Sequence, residues 1–347
     1  MKQYLLFLLL LPLTAFSQVK ITGKVLNATG GKPLGNVSVF LSNATVGSKT
    51  TDDGTFTLYN VRPGQYELVA SAVGYSTYHI VVLAANADIT VADIKLEAKT
   101  TELKEVAITG ENDWEKNFAK FKTQFLGTSE AAAECKLTNY DALTLDYDKQ
   151  TGKLSGSSND FIELENKYLG YKIKYLLASF DWDERGGVLY FAGSSVFEDM
   201  NGSASQKKRW QKRRKEAYEG SSMQFLRGLV SDSIELKDFK AYRLIRKPNP
   251  QSKGLSDKYI QTLINKPLEK SEFLRPTNLS GIYAISFKDC LSIKYKSNRS
   301  TVVTIKSDYA FFDLNGIIAN PADVFFEGAW GLNRMAEMLP VDYAVEK

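Results

Sequence analysis

The sequence predicts a mainly β protein: an N-terminal seven-stranded β-sandwich followed by a larger α+β domain with an antiparallel sheet and a few helices. Three observations carry this. Eighteen Tyr and nineteen Phe, with abundant Val, Ile and Thr, favour sheet. From Val19 to about Glu97, short apolar runs are separated by Gly- and Pro-bearing turns at the spacing of a sandwich. Beyond Asp113, longer alternating runs are interspersed with segments of helical period. Hydrophobic content of 44% against 24% charged residues belongs to a globular chain, and 347 residues suffice for two domains of ordinary size.

The chain begins with Lys2, the apolar run Leu5 to Leu11, Pro12 and the small-residue site Ala15-Phe16-Ser17, the pattern of an export signal. Cleavage after Ser17 leaves Gln18 first. The run is too short for a membrane span, which needs about twenty residues. The expected organisation is therefore residues 1–17 as signal peptide, 18–97 as sandwich, 98–112 as linker and 113–347 as the α+β domain. Export to the periplasm or the outer membrane makes nucleic acid an unsuitable partner. A net charge of +4 names none by itself. Two cysteines, Cys135 and Cys290, remain after export; an oxidising compartment permits a disulfide, and their apolar surroundings equally suit two reduced thiols.

In the sandwich the expected strands are Ile21–Val25, Val37–Leu41, Phe56–Leu58, Tyr66–Ala70 and His79–Leu83. Gly30-Gly31-Lys32-Pro33, Thr51-Asp52-Asp53-Gly54, Arg62-Pro63-Gly64 and Val73-Gly74-Tyr75 supply the turns. Gly23-x-Val25, Pro33-Leu34, Val37-x-Val39, Thr51-Asp52-x-Gly54-x-Phe56, Pro63-Gly64-x-Tyr66-x-Leu68 and Gly74-Tyr75 resemble the carboxypeptidase regulatory-like domain, a transthyretin-type β-sandwich. The resemblance implies a non-catalytic module of exported enzymes and outer-membrane receptors, without peptidase activity. Thr101 to Gly110 is similar to the piece that leads into the plug of TonB-dependent transporters. No plug pattern follows, and the rest of the chain is too short for their barrel. The charged, Thr-rich stretch from Glu97 to Asn112 supports little packing, so the two domains are expected to fold separately.

After Asn112 or Asp113 as cap, Trp114, Phe118, Phe121 and Phe125 recur on one helical face that Gly127 ends. A hairpin is expected around Lys149-Gln150-Thr151-Gly152. A second joins Tyr171–Leu177 to Val188–Phe191 across the acidic turn Asp181-x-Asp183-Glu184, whose alternative reading is a calcium site. Next comes Lys207-Lys208-Arg209-Trp210-Gln211-Lys212-Arg213-Arg214-Lys215, a run of helix formers whose cations spread round most of the circumference. Trp210 and Tyr218 suit docking of this helix on the core. Its seven cations form either a solvated surface or a site for an anionic lipid, a glycan or an acidic envelope protein. Ser221 or Ser222 caps a further helix carrying Met223, Leu226, Leu229 and Val230, and Gly281 to Phe312 returns to strand. The tail from Gly328 reads as one short helix stopped by Pro340. Cys135 in its segment, Asn166-Lys167-x-Leu169-Gly170-Tyr171, Trp210-x-x-x-Arg214-x-x-x-Tyr218-x-Gly220-Ser221, Phe225-Leu226-Arg227 and Leu339-Pro340-x-x-Tyr343 resemble the uncharacterised second module of envelope proteins that begin with a regulatory-like domain. That resemblance assigns no activity.

The single histidine, His79, falls in a sandwich strand, which removes a two-His zinc site and leaves serine-hydrolase chemistry one candidate base. No Gly-rich loop joins a strand to a helix as nucleotide binding requires. No cofactor, metal site or catalytic residue is expected. The leading reading is a non-enzymatic exported envelope protein that binds a protein, lipid or glycan through its C-terminal domain. A carboxylate-dependent hydrolase of envelope polymers and an accessory component of a TonB-dependent uptake system are the alternatives.

Overall fold

The computed structural model describes residues 19–85, 87–99, 113–231, 234, 236–254 and 258–345. The expected signal peptide and the linker from Thr100 to Asn112, with its transporter-like segment, lie outside them.

The sandwich contains β1 (Val19–Asn27), β2 (Ser38–Leu41), β3 (Gly47–Lys49), β4 (Thr55–Val61), β5 (Gly64–Ser71), β6 (Tyr78–Ala84), β7 (Ile89–Thr90) and β8 (Ile94–Leu96). One sheet runs β3-β2-β5-β6; in the other, β1 pairs antiparallel with β4 and parallel with β7 and β8. β7 meets β1 at Ile21 and Thr22, and β8 meets it at Val25 to Asn27, so the two are pieces of one edge. Eight segments thus fill seven strand positions. Alternation points Phe56, Leu58, Tyr66, Leu68 and Ala70 inward, where they join Ile21, Val25 and Val39 in a closed core.

Beyond Asp113 lie two further large cores, the first under one sheet and the second lined by strands of two. The first half contains α1 (Trp114–Leu126), α2 (Glu130–Ala133), β9 (Cys135–Leu137), β10 (Leu143–Asp148), β11 (Lys153–Ser158), β12 (Ile162–Asn166), β13 (Tyr171–Asp183) and β14 (Val188–Asp199). The long β13 carries β14 on one edge, and on the other β12 with β9 and β11 with β10. The aromatic stripe of α1 fills the core beneath, Phe121 meeting Phe180 edge to face at 4.9 Å and Phe125 meeting Tyr175 in the same way at 5.3 Å. The acidic segment forms a hairpin, with Asp181 and Asp183 on β13, and two of its three acids are already engaged. Asp183 accepts the N–H groups of Arg185 and Gly186, and Glu184 takes Lys120 and the Tyr147 hydroxyl.

Two helices, α3 (Ala204–Tyr218) and α4 (Ser222–Val230), then lead to the second half. It holds β15 (Phe239–Pro248), β16 (Tyr259–Pro267), α5 (Lys270–Phe273), β17 (Leu274–Pro276), β18 (Ile282–Ile285), β19 (Cys290–Tyr295), β20 (Arg299–Ile305), β21 (Ala310–Asp313), β22 (Val324–Gly328) and α6 (Ala329–Leu332). These form a β16-β15-β19-β20-β22 sheet and a β17-β18-β21 sheet. The tail departs from the single helix expected: α6 stops at Leu332, and a separate 3-10 turn covers Met335–Glu337. Arg334 breaks it, with its backbone extended and its N–H donated to the Glu337 carboxylate.

Cys135 and Cys290 are not paired, which closes the disulfide left open by the sequence. Cys135 belongs to the first-half core at β9, while Cys290 opens β19 in the other half, beside the Thr304 hydroxyl. Burial pushes the Cys135 thiol up to about 12, far from thiolate chemistry.

The sandwich does not hang free. The Asn43 N–H donates to Ser195 O (2.6 Å) and the Phe197 N–H to Ala44 O (2.9 Å), joining its β2–β3 turn to β14. From the far end of the chain, the Val341 N–H donates to Asn43 O (2.6 Å), and the Asp342 carboxylate accepts the N–H and hydroxyl of Thr45. The Val341 side chain is buried within the sandwich core. The expectation of two bodies meeting only across a linker overlooked this seam, because it depends on contacts far apart in sequence, 152 residues for Asn43 with Ser195 and 297 for Thr45 with Asp342.

Candidate functional site

The basic run is helical because Ser203 caps it: its hydroxyl accepts the Gln206 N–H while the Gln206 side chain accepts the Ser203 N–H. What the helix sits on is the turn from Asn166 to Tyr171. Asn166 is fully buried; its Oδ1 accepts the Leu169 N–H and its Nδ2 donates to Ala336 O, both at 2.9 Å, so the turn is held from within. Gly170 follows at φ +73, and a Cβ there would stand 2.1 Å from Trp210 Cδ2. The indole therefore lies directly on glycine backbone, with its Nε1 donating to Lys167 O at 2.9 Å.

Trp210, Arg213, Arg214, Ala217 and Tyr218 recur at three- and four-residue spacing and make one inward face. Arg214 donates to Leu169 O (2.7 Å), Gly170 O (2.9 Å) and Asp199 (2.7 Å), with its guanidinium 3.7 Å above the Tyr171 ring. Arg213 lies 3.8 Å over the Tyr168 ring, donates to Tyr168 O and grips Glu134 with both terminal nitrogens. This corrects the reading of the seven cations as one set. Arg213 and Arg214, 17% and 14% exposed, belong to the seat of the helix. Lys207, Lys208, Arg209, Lys212 and Lys215 remain exposed. Lys208, Lys212 and Lys215 fall on the face opposite Trp210. Two of them reach carboxylates only loosely, Lys212 to Glu216 at 3.7 Å and Lys215 to Glu219 at 3.9 Å.

At the C-terminal end of α3 the chain turns through Gly220, at φ +79, and passes from the first-half core to the second: Tyr218 packs in one, Phe225 in the other. Trp330 Nε1 donates to Gly220 O (2.8 Å) and Arg299 to Glu219 O (2.7 Å), which ties this elbow to α6 and to β20. Beside the elbow, between the two halves, opens a cleft of about 320 Å³. Three acids line it, Glu130, Glu216 and Glu337. Glu337 is bonded to the Ser129 hydroxyl and the Arg334 N–H, and Glu130 is 75% exposed. Asp313, the last residue of β21, lies outside the cleft lining, and burial raises its carboxyl. Among the described residues no group of three or more His, Cys, Asp or Glu is placed to hold a metal ion. His79 lies on β6 next to Glu67, at 3.2 Å.

Sequence reasoning placed α3 and its anchors but missed the seat, the elbow and the cleft. The signal for the seat was present as Gly170 and the spacing of Trp210, Arg214 and Tyr218.

Residues 21–108 match the CarboxypepD_reg-like domain family. The chain thus carries a carboxypeptidase regulatory-like β-sandwich followed by a further, mainly β domain. None of the curated proteins matches the chain. Similar solved structures include a type II cohesin–X-dockerin complex from Acetivibrio cellulolyticus, at 20% identity over 23% of this chain and 58% of that one, TM-score 0.21. The group B streptococcus pilus 2b backbone protein is similar at 18% identity over 24% of this chain and 42% of its own, TM-score 0.21. A DUF3823 family protein from Parabacteroides merdae is similar at 13% identity over 53% and 82%, TM-score 0.18. The chain spans less than two thirds of the first of these structures.

Proposed function

We propose that this is an exported, non-enzymatic envelope protein whose second domain holds an anionic partner on the outer face of α3. The observation that carries this is the division of the basic run: two arginines are used in docking the helix, and Lys208, Lys212 and Lys215 are left side by side in solvent. A surface helix seated by an indole, two guanidinium groups and a tyrosine presents its outer lysines from a backbone already fixed, so that binding has only their side chains to order. Anionic lipid headgroups are the partner that such a convex cationic face fits best. Each lysine near an anionic leaflet contributes about 1 kcal/mol, an attraction that fades within a Debye length of about 8 Å in physiological salt.

Co-sedimentation with anionic and with neutral liposomes tests the reading. The parent should pellet with anionic vesicles in low salt and be released in high salt, and the Lys208→Gln, Lys212→Gln, Lys215→Gln triple variant should stay in the supernatant. Equal binding by parent and variant would move the site elsewhere. Export is tested on the protein recovered from the envelope by mass spectrometry, which should find Gln18 as first residue. An intact Met1 would overturn it.

A further inference from the structure

The cleft at the α3–α4 elbow has a chemistry that the lysine face does not share, and we propose that it binds a neutral saccharide unit. Its floor is apolar and small, made by Ala131, Ala217 and Ala329 with Trp330 beside them. Its rim carries planar polar groups of both signs: the Glu130 and Glu216 carboxylates, the Arg299 guanidinium and the Asn333 carboxamide. A sugar ring has this complement, an apolar C–H face and a perimeter of hydroxyls that each donate and accept, and carboxylate, guanidinium and carboxamide together satisfy both demands.

The mixture favours no single charge: Glu130, Glu216 and Glu337 stand against Arg213 and Arg299, so neither an anion nor a cation finds the one-signed lining that would select it. A peptide that binds by strand addition needs an open strand edge to pair with. The walls here are α2, the end of α3, the elbow, α6 and the 3-10 turn at Met335–Glu337, with Arg299 the sole strand residue among them. The volume, about 320 Å³, stands at the small end of ligand pockets and suits one or two rings, such as the end of a glycan, not a long polymer.

The polar groups on the rim are available. No hydrogen bond or ion pair engages the Asn333 side chain among the described residues. Glu130 is 75% exposed at 3.9 Å from Arg213, and Glu216 is 52% exposed at 3.7 Å from Lys212. Arg299 uses one nitrogen on Glu219 O and keeps the rest of its fork for a ligand.

The test is saturation-transfer NMR and calorimetric titration of the full chain with cellobiose, maltose and N,N′-diacetylchitobiose, with glucuronate, glucosamine and trialanine as controls. At least one neutral disaccharide should bind, and the controls should not. Asn333→Ala with Glu130→Ala, both surface changes expected to leave the melting temperature in place, should weaken that binding about tenfold or more. The lysine triple variant should leave it unchanged, which separates this site from the α3 face. No binding by any of the three disaccharides, binding indifferent to the Asn333 and Glu130 changes, or equal binding of trialanine or glucuronate would each overturn the proposal.

Discussion

Helix α3 and the β-sandwich are both fastened to the rest of the protein through backbone carbonyls, and they are fastened by opposite means. The α3 seat is local, pairing residues 43 to 45 apart, and one indole on a glycine centres it. The sandwich seat is assembled from a short turn, Asn43 to Thr45, and a strap, Leu339 to Tyr343, 297 residues away. Arginine closes both. Arg214 spans Leu169 and Gly170, while Arg227 on α4 donates to Asn315 O (2.9 Å), Tyr343 O (2.8 Å) and Val341 O (2.6 Å) and so holds the strap in position. The contacts of α3 with its turn join residues close in sequence, the Asn166 bond to Ala336 being the part supplied by the tail, whereas the strap of the second seat arrives only with the end of the chain. Stability of the sandwich is thereby linked to that of a domain it does not resemble.

The largest expected effect comes from breaking the α3 seat at its centre. Gly170→Ala puts a methyl group where the Trp210 ring lies and adds the cost of positive φ. A loss of about 4 kcal/mol is expected, at the upper end for a single substitution. Thermal denaturation should show it, and a near-parental midpoint would mean that the indole is not seated on this turn.

Next is a test of whether the seam couples its two sides. All four tryptophans, Trp114, Trp182, Trp210 and Trp330, lie outside the sandwich. Leu68, completely buried in the sandwich core, costs about 3 kcal/mol on truncation to Ala. With a coupled seam, the unfolding midpoint read by tryptophan fluorescence falls together with that read by far-UV circular dichroism. If the fluorescence transition stays at its parental midpoint, the sandwich unfolds alone and the seam is too weak to link the two. The Arg227→Met variant sharpens the same comparison. It keeps the apolar stem but strips three carbonyls of their donor, for about 2 kcal/mol, and should raise hydrogen exchange at Val341 and Thr45 while leaving Leu169 and Gly170 protected.

What the sequence made legible follows the same division. The sandwich was readable because turn residues fix local geometry: glycines and prolines bound each strand, and alternation assigns the faces of Phe56 and Leu58 without knowledge of anything distant. The aromatic stripe of α1 and both hairpins were readable on the same grounds. The seam was not, since nothing in Asn43-Ala44-Thr45 or Val341-Asp342 differs from an ordinary turn and an ordinary tail until the two are brought together. For the candidate site, composition marked the whole basic run. Only the tertiary position of Tyr168 and Tyr171 beneath Arg213 and Arg214 divides it into docking and free residues. The cleft was invisible for the same reason, its lining being drawn from five separate segments.

A smaller effect concerns pH and the sandwich seat. Asp313 begins the turn that carries Asn315, whose side chain donates to Gln65 O in the sandwich at 2.8 Å. Burial raises the Asp313 carboxyl above its ordinary value, against the opposing pull of N–H donors such as that of Ile317. The folded state then holds this proton more tightly than the unfolded chain. The resulting stabilisation is complete below the unfolded carboxylate range and is lost as pH rises through the higher folded value. Asp313→Asn should therefore gain on the parent as pH rises from the acid side to neutrality. A difference in melting temperature that is flat with pH would show that the carboxyl is not perturbed.

The smallest effect is expected on the outer face of α3, and its smallness is the point. Lys208, Lys212 and Lys215 touch nothing that holds the helix, and Gln has nearly the helix propensity of Lys. The triple Gln variant gives up two loose pairs, to Glu216 and Glu219, each worth a few tenths of a kcal/mol. Lys215 also complements the helix C-terminus, a contribution of similar size that salt screens. A total loss below about 1 kcal/mol is expected, against about 4 for Gly170→Ala. That contrast makes liposome binding interpretable, because a variant that folds like the parent and no longer binds has lost charge and not structure. If the triple variant instead unfolds as early as Gly170→Ala does, those lysines take part in the seat. The division of the basic run into two docking arginines and a free cationic face would then be mistaken.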